Sequence, residues 1–283
     1  MSRMDTACGQ MKLWKWVLAF VFGMLMFMFV MALAEAFPLL VPWAGVKSIA
    51  SLISGCGMLG VYSVWIYLVE KRKPSELNLR TAPKDIGYGL LVGFGVFCVI
   101  TAILALLGCY HIEGYQFKLL EQLDQFMFFF VVAVAEEILF RGYLFRMIDE
   151  RFSFIVAIII SALVFGLVHW SNPNGTLWAA IAIAIEAGIM LALAYKLHNS
   201  LWLPIGIHWG WNYTQGNIFG FGVSGNDAGT TFIVPSVEGH ELVTGGAFGP
   251  EASIPAVILC VGISVWFWMK VRRLCQDTAN DKY

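Results

Sequence analysis

Charge is scarce in this chain. Only 13% of its 283 residues are Asp, Glu, Lys or Arg, while 59% are hydrophobic. A soluble domain has roughly 25% charged and 45–50% apolar residues, so this composition excludes an ordinary soluble globule. The 18 basic residues are balanced by 19 acidic ones. Because the Lys and Arg residues do not form a concentrated basic patch, we expect no nucleic-acid partner.

Cysteine patterns that bind metal or form disulfides are also missing. The six cysteines are dispersed without C-x-x-C spacing, and most fall in apolar runs, where they act as small hydrophobes. The H-E-x-x-H motif of zinc proteases does not occur either. We therefore predict neither a disulfide framework nor a zinc cluster.

Long apolar runs, by contrast, occupy most of the chain. A helix that crosses the hydrocarbon core of a bilayer needs about 20 apolar residues. Segments of this kind are found at 14–37, 49–69, 86–109, 126–148, 154–170, 177–197, 201–221 and 254–270. We predict an all-α fold, a polytopic bundle of about eight transmembrane helices. Residues 1–283 would form a single integral membrane domain in a lipid bilayer.

The basic residues predict the orientation of this bundle. With the N-terminus inside, every Lys and Arg except Lys47 and Lys118 falls on the cytoplasmic side, counting Arg141 with the inner end of its helix. Such an excess marks the cytoplasmic side of membrane proteins. Both termini are therefore predicted to be cytoplasmic, and the segment 222–253, which has no Lys or Arg, is predicted to be an extracytoplasmic loop.

The fourth span contains charges where apolar residues are expected. Glu136 follows Phe126 by ten positions, which at about 1.5 Å each places it roughly 15 Å deep, near the centre of the membrane. Glu137 and Arg141 are four residues apart and can form an ion pair, whereas Glu136 points about 100° away from Glu137. The alternative is that these three residues only form buried polar contacts that hold helices together, without a catalytic role.

Two further spans carry polar pairs at helical spacing. Phe165 shares a helix face with His169, and His208 shares one with Asn212. Ionisable residues inside a membrane usually face the bundle interior and mark a functional site. A buried glutamate can take a proton from water. The His and Asn side chains could donate to an oxyanion, or the two histidines could bind a divalent metal such as zinc, which is the less favoured reading.

Together these residues resemble a known family. Residues 136–141 fit the pattern EExxxR, residues 165–169 fit FxxxH and residues 208–212 fit HxxxN, in that order on separate hydrophobic segments. The trio resembles the CAAX protease and bacteriocin-processing (CPBP) family of intramembrane endopeptidases, which includes type II CAAX prenyl endopeptidases. The similarity covers roughly residues 85–220, the expected catalytic core.

The resemblance implies a protease that hydrolyses a peptide bond in a membrane protein or peptide. It implies roles for six residues. Glu136 would activate the water, and Glu137 and Arg141 would support Glu136. The site would be completed by His169, His208 and Asn212. It leaves open whether the mechanism depends on glutamate or on a metal. We further expect an integral, multi-pass protein of a prokaryotic inner (plasma) membrane.

Two other functions remain open at this point. The bundle could be a non-catalytic scaffold or immunity protein, or a proton-coupled transporter, although no inverted hydropathy repeat favours transport. Glu186 lies within the sixth span without a basic residue at i±3 or i±4. It has either a packing role or a supporting role for His208. Glu251 in the outer loop is expected to be solvated or to cap a helix.

The charge distribution generates a topology prediction. Reporter fusions after Lys84, Glu150 and Lys282 should give a cytoplasmic signal, while fusions at His111 and Asp227 should give an extracytoplasmic one. Each fusion is measured with a pair of reporters that are active on opposite sides of the membrane. An extracytoplasmic signal after Lys282 would contradict the even number of spans.

Overall fold

Helices form nearly all of the regular structure in this chain. The computed structural model describes residues 11–227 and 229–280. The α-helices are α1 (Leu13–Leu39), α2 (Val46–Leu68), α3 (Ala82–Leu106), α4 (Leu119–Glu137), α5 (Arg146–Arg151), α6 (Phe154–Trp170), α7 (Leu177–Ile183), α8 (Ile189–His198), α9 (Trp202–Tyr213), α10 (Glu241–Thr244) and α11 (Ile254–Asn280).

The all-α architecture predicted from the apolar runs is confirmed. Every predicted span coincides with a helical segment. Five helices of the described chain are long and apolar enough to cross a membrane, and they are Leu13–Leu39, Val46–Leu68, Ala82–Leu106, Leu177–His198 and Ile254–Leu274. The total of eight crossings and the cytoplasmic position of both termini stay predictions.

Three of the helical segments contain wider, π-helical turns. Ile138–Phe145 joins α4 to α5, Ala184–Gly188 joins α7 to α8, and Thr214–Ile218 extends α9. Each lies at or next to a polar residue, since Glu137 directly precedes the first and Glu186 is part of the second. Such turns frequently occur at functional sites, because they rotate the side chains that follow.

A small antiparallel sheet lies outside the helices, and the sequence analysis did not anticipate it. Strand β1 (Tyr110–Tyr115) pairs with strand β2 (Ile233–Val237), with Tyr110 opposite Val237. A bulge between Ile112 and Gly114 interrupts the register. The sheet ties the outer loop 222–253 to the segment that precedes α4, so this loop is partly ordered by pairing with a distant part of the chain.

Glycines bring α3 and α9 into backbone contact. Gly89 and Gly93 in α3, and Gly206 and Gly210 in α9, are each four residues apart. A Cβ atom on Gly93 would lie 2.3 Å from the carbonyl oxygen of Ile207. Helices in membranes gain most of their association energy from such close contacts, because lipid tails are as apolar as the side chains. The two glycine pairs therefore hold α9 against α3.

A cluster of ion pairs fastens the linker 70–76 to the helices. Arg72 contacts Glu76 at 2.7 Å, and Arg146 contacts Glu70 at 2.6 Å. Burial alone would raise the pKa of Glu76, but hydrogen bonds from Arg72 and the charges of Arg146 and Arg72 lower it to about 2. The hydroxyl of Tyr62 donates to Glu76 and lies 2.9 Å from the carbonyl oxygen of Gly142. Tyr62 on α2 thus connects the linker to the π-helical segment that follows Glu137.

The glycine contact generates a stability prediction. Gly93→Ala should lower the free energy of unfolding by about 1–3 kcal/mol, because the new methyl group meets backbone that cannot move aside. Gly95→Ala on the same helix is the matched control, since a Cβ there meets nothing within 4 Å. Alanine favours helix over glycine, so the control should be neutral or stabilising. Unfolding in detergent micelles measures both, and equal values would contradict the contact.

Candidate active site

The ion pair predicted between Glu137 and Arg141 is present at the centre of the bundle. Nη1 of Arg141 donates to Oε1 of Glu137 at 2.8 Å, and the two side chains are 1% and 0% exposed. Spacing of four residues brings the two groups together on one side of the helix. Nη2 of Arg141 donates to the carbonyl of Ala187 at 2.9 Å. The pair therefore links α4 to the helix that contains Glu186.

The same carboxylate also holds a histidine. Nδ1 of His208 donates to Oε1 of Glu137 at 2.9 Å. On α6, Nδ1 of His169 donates to the carbonyl of Phe165 at 2.7 Å. A carboxylate and a carbonyl only accept hydrogen bonds, so each Nδ1 carries the proton. Each imidazole therefore presents Nε2 on its other side.

Both Nε2 atoms face Glu136. Oε2 of Glu136 lies 4.0 Å from Nε2 of His169 and 3.9 Å from Nε2 of His208. This oxygen is buried and has no hydrogen-bond partner among the residues that the structure describes. Separations of this length are too great for a direct hydrogen bond but suit a bridging water. The carboxylate and the imidazoles thus converge on a space that a water molecule can fill.

This space belongs to a cavity of about 460 Å³. The cavity lies within the usual size of a ligand pocket, about 300–1,000 Å³. Of the six predicted site residues, Glu136, His169, His208 and Asn212 line it, and Glu137 and Arg141 do not. Its other walls come from α1, α2, α4 and the loop 223–229 and are partly apolar and partly charged; they include Glu35, Lys47, Phe128, Phe129, Val132 and Asp227.

Glu35 is a cavity residue that the sequence analysis missed. It lies on α1, and its Oε1 atom is buried without a hydrogen-bond partner in the described part of the chain. The signal that identified Glu136 was available for Glu35 too, since both are ionisable residues within apolar spans. Glu35 stands alone in its span, without a neighbouring motif that would have drawn attention to it.

The expectation that Glu251 is solvated or caps a helix is wrong. This side chain is 1% exposed, accepts a hydrogen bond from the backbone N–H of Ser224, and lies 3.4 Å from Nε1 of Trp211. Burial raises its pKa to about 7, although the hydrogen bonds that it accepts act in the opposite direction. The segment that contains Ser224 and Glu251 therefore packs against α9, which encloses Glu251.

The spacing of the site's carboxylate and imidazole groups does not suit a metal ion. The described residues contain no group of three or more His, Cys, Asp or Glu side chains placed to hold an ion. Zinc bonds of about 2.0–2.1 Å in a tetrahedral site would require donor atoms about 3.4 Å apart. The distances of 3.9 and 4.0 Å from Glu136 to the two Nε2 atoms are longer. In this arrangement, the residues do not form a metal site.

A comparison with protein families bears on these residues directly. Residues 119–214 match the family model described as Type II CAAX prenyl endopeptidase Rce1-like. The resemblance seen in the sequence motifs is thereby confirmed. The Rce1-like segment is about a third of the chain and contains all six predicted site residues. No curated protein and no solved structure matches the chain. At the level of the family, the Rce1-like match indicates a protease.

The buried pair generates a prediction that concerns stability. Glu137→Gln should lower the free energy of unfolding by about 3–5 kcal/mol, because it leaves the Arg141 charge buried without its counter-charge. Glu150→Gln is the matched control, since Arg146 loses one partner there and keeps Glu70 at 2.6 Å. Unfolding in detergent micelles measures both variants. A Glu137 variant as stable as its control would show that Arg141 does not depend on this carboxylate.

Proposed function

We propose that this protein is an intramembrane endopeptidase that hydrolyses a peptide bond in a membrane protein or peptide by means of glutamate-activated water. The observation that carries the proposal is the unpartnered Oε2 of Glu136, which faces the Nε2 atoms of His169 and His208 across the cavity at 4.0 and 3.9 Å. The Rce1-like match supports it at the level of a protease family.

Glu136 supplies the base and the acid of this reaction. Its carboxylate takes a proton from the water while the water oxygen bonds to the carbonyl carbon of the substrate. The carbonyl oxygen becomes an oxyanion as the π bond opens. Glu136 then returns the proton to the leaving nitrogen as the C–N bond breaks, which yields a carboxylic acid and an amine and restores the carboxylate.

His208 and Asn212 stabilise the oxyanion in this proposal. Asn212 lines the cavity, and its amide group makes no hydrogen bond within the described residues, so it is available to a substrate. His208 uses Nδ1 to donate to Glu137, and it donates through Nε2 when the imidazole carries a second proton. His169 orients the water. Donors aimed at a developing oxyanion are among the largest contributions to catalysis.

Glu137 and Arg141 act through their neighbours rather than on the substrate. Glu137 determines which nitrogen of His208 carries the proton and orients the ring. Arg141 forms an ion pair with Glu137 at 2.8 Å and is held by the Ala187 carbonyl and by the ring of Phe165, 4.4 Å from its guanidinium carbon. These two residues are therefore positioning residues for the site.

The setting of the reaction is also part of the proposal. The catalytic core would extend over residues 85–220 of a single membrane domain with eight crossings and cytoplasmic termini, in the inner membrane of a prokaryotic cell. The cavity suits a peptide segment because its walls combine aromatic side chains of α4 with charged groups near the loop 223–229. A substrate with apolar and polar side chains would find contacts for the apolar ones on α4 and for the polar ones near the loop.

The function is tested by Glu136→Gln. We expect turnover to be abolished while the folded yield stays close to that of the wild type, because the amide has the same shape but cannot take a proton. Proteolysis is measured in reconstituted membranes with wild type, Glu136→Gln and the positioning variant Glu137→Gln. Full activity of the Glu136 variant would refute the proposal, and a wild type without activity on any peptide tested would favour the scaffold function.

Metal dependence is the control for this experiment. If the histidines act as hydrogen-bonding groups, His208→Ala should reduce turnover by a factor on the order of 10² to 10³, and strong chelators should have little effect. If they bind a metal, chelation should remove activity and zinc alone should restore it. The second result would assign the water activation to a metal instead of to Glu136 alone.

A further inference from the structure

A second, smaller cavity lies behind the catalytic side chains. It offers about 20 Å³ of space to a water-sized molecule, and one buried water needs about 10–15 Å³. We call it the rear chamber. Four residues line both cavities and therefore separate them: His169, His208, Asn212 and Ser224. The rear chamber is thus a space for one water next to the catalytic groups.

Glu186 is the polar group of the rear chamber that lacks a partner. The residue is fully buried, at 0% exposure, and neither carboxyl oxygen has a hydrogen-bond partner among the described residues. A buried polar group without a hydrogen bond costs roughly 1–3 kcal/mol, and an isolated charge costs far more. A water molecule in the chamber is the partner that its size permits.

Within the part of the chain that the structure describes, no cation donates a hydrogen bond to the Glu186 carboxyl. The titratable groups around it are Glu251, His169 and His208 across the rear chamber and Cys260 on α11. Arg141 reaches the same helix, but it donates to the carbonyls of Ala187 and Gly188 and to Glu137 instead of to the Glu186 carboxyl. Among these neighbours, a neutral carboxylic acid is the form with the smaller cost of burial.

We propose that the rear chamber is a water-binding site in which the protonated carboxyl of Glu186 holds one water molecule that supplies the hydrolytic site. This inference rests on the proposed function. A peptide that fills the large cavity displaces the water there. The rear chamber lies on the other side of the His208 and Asn212 side chains, so the peptide does not enter it and its water stays in place. Hydrolysis consumes one water for each bond cleaved, and the chamber keeps one in reach.

The route by which the chamber refills also has a structural basis. Glu251 and Ser224 line the chamber and belong to the outer loop. The backbone N–H of Ser224 donates to Glu251, so polar groups continue from Glu186 to the loop 222–253. In this proposal, the chamber refills along these polar groups.

Two substitutions at one position test the proposal. Glu186→Leu removes the hydrogen bonds to the water, and we expect kcat to fall about tenfold or more while KM changes by less than about twofold. Its folded yield should not fall, because an apolar side chain replaces an unpartnered carboxyl. Glu186→Gln still binds water, and it should retain kcat within about threefold of the wild type. Met58→Leu, at a buried residue of α2 that lines neither cavity, is the volume-conserving control and should be silent.

Each outcome decides for or against the water site. Wild-type kcat in Glu186→Leu would overturn it, because the chamber would then supply nothing. A Glu186→Gln variant as slow as Glu186→Leu would also overturn it, because it would assign the effect to the proton of the carboxyl instead of to the bound water. The expected order, with Gln close to the wild type and Leu impaired, supports it.

Infrared spectroscopy tests the site without relying on activity. The wild type should show the C=O stretch of a carboxylic acid that is missing in Glu186→Gln, retained in Glu251→Gln, and shifted quickly on transfer to D₂O because water reaches the group. Absence of this band, or a band that does not exchange, would overturn the water site. Because Glu136→Gln reports on the proposed function and the band reports on the chamber, their failures are distinguishable.

Discussion

A buried charge is costly in free energy unless its counter-charge stays in contact with it, so the groups around a buried ion pair must hold both side chains in place. Glu137 and Arg141 meet this requirement across several helices, because Arg141 also reaches the Ala187 carbonyl and Glu137 also receives His208. The cost of separating the charges therefore secures the relative positions of α4, α9 and the helix around Glu186. Adjacent glutamates then have different roles: one is neutralised within the protein, and the other is left free to face the cavity.

The position of the histidines depends on a second constraint, which is backbone packing. Gly93 and Gly210 allow α3 and α9 to approach until one helix touches the main chain of the other. Such contacts tolerate little displacement, since backbone atoms cannot rotate away as side chains do. His208 and Asn212 are thus part of a helix with a rigid neighbour, while His169 belongs to α6. Convergence of the two Nε2 atoms on one carboxylate oxygen follows from these packings together.

The two cavities divide the surroundings of the site by polarity and size. The larger has the volume of a ligand pocket and includes a second carboxylate, Glu35, whereas the smaller has room for about one water. His169, His208, Asn212 and Ser224 line both cavities and form part of the wall between them. Under the proposed function, this arrangement places a substrate on one side of the wall and a water molecule on the other.

Local patterns were enough to predict the helices, the Glu137–Arg141 pair and the family resemblance, because apolar length and four-residue spacing are properties of one helix at a time. They did not reveal the pairing of β1 with β2, whose partners lie more than a hundred positions apart, or the burial of Glu251 under the folded outer loop. Glu35 was missed for a different reason, since it is an ionisable residue in an apolar span without a neighbouring motif. Periodicity states which face of its helix a side chain occupies, but only the packing of helices against each other decides what that face meets. That packing alone brought His169 and His208 to Glu136 and enclosed Glu186 behind them.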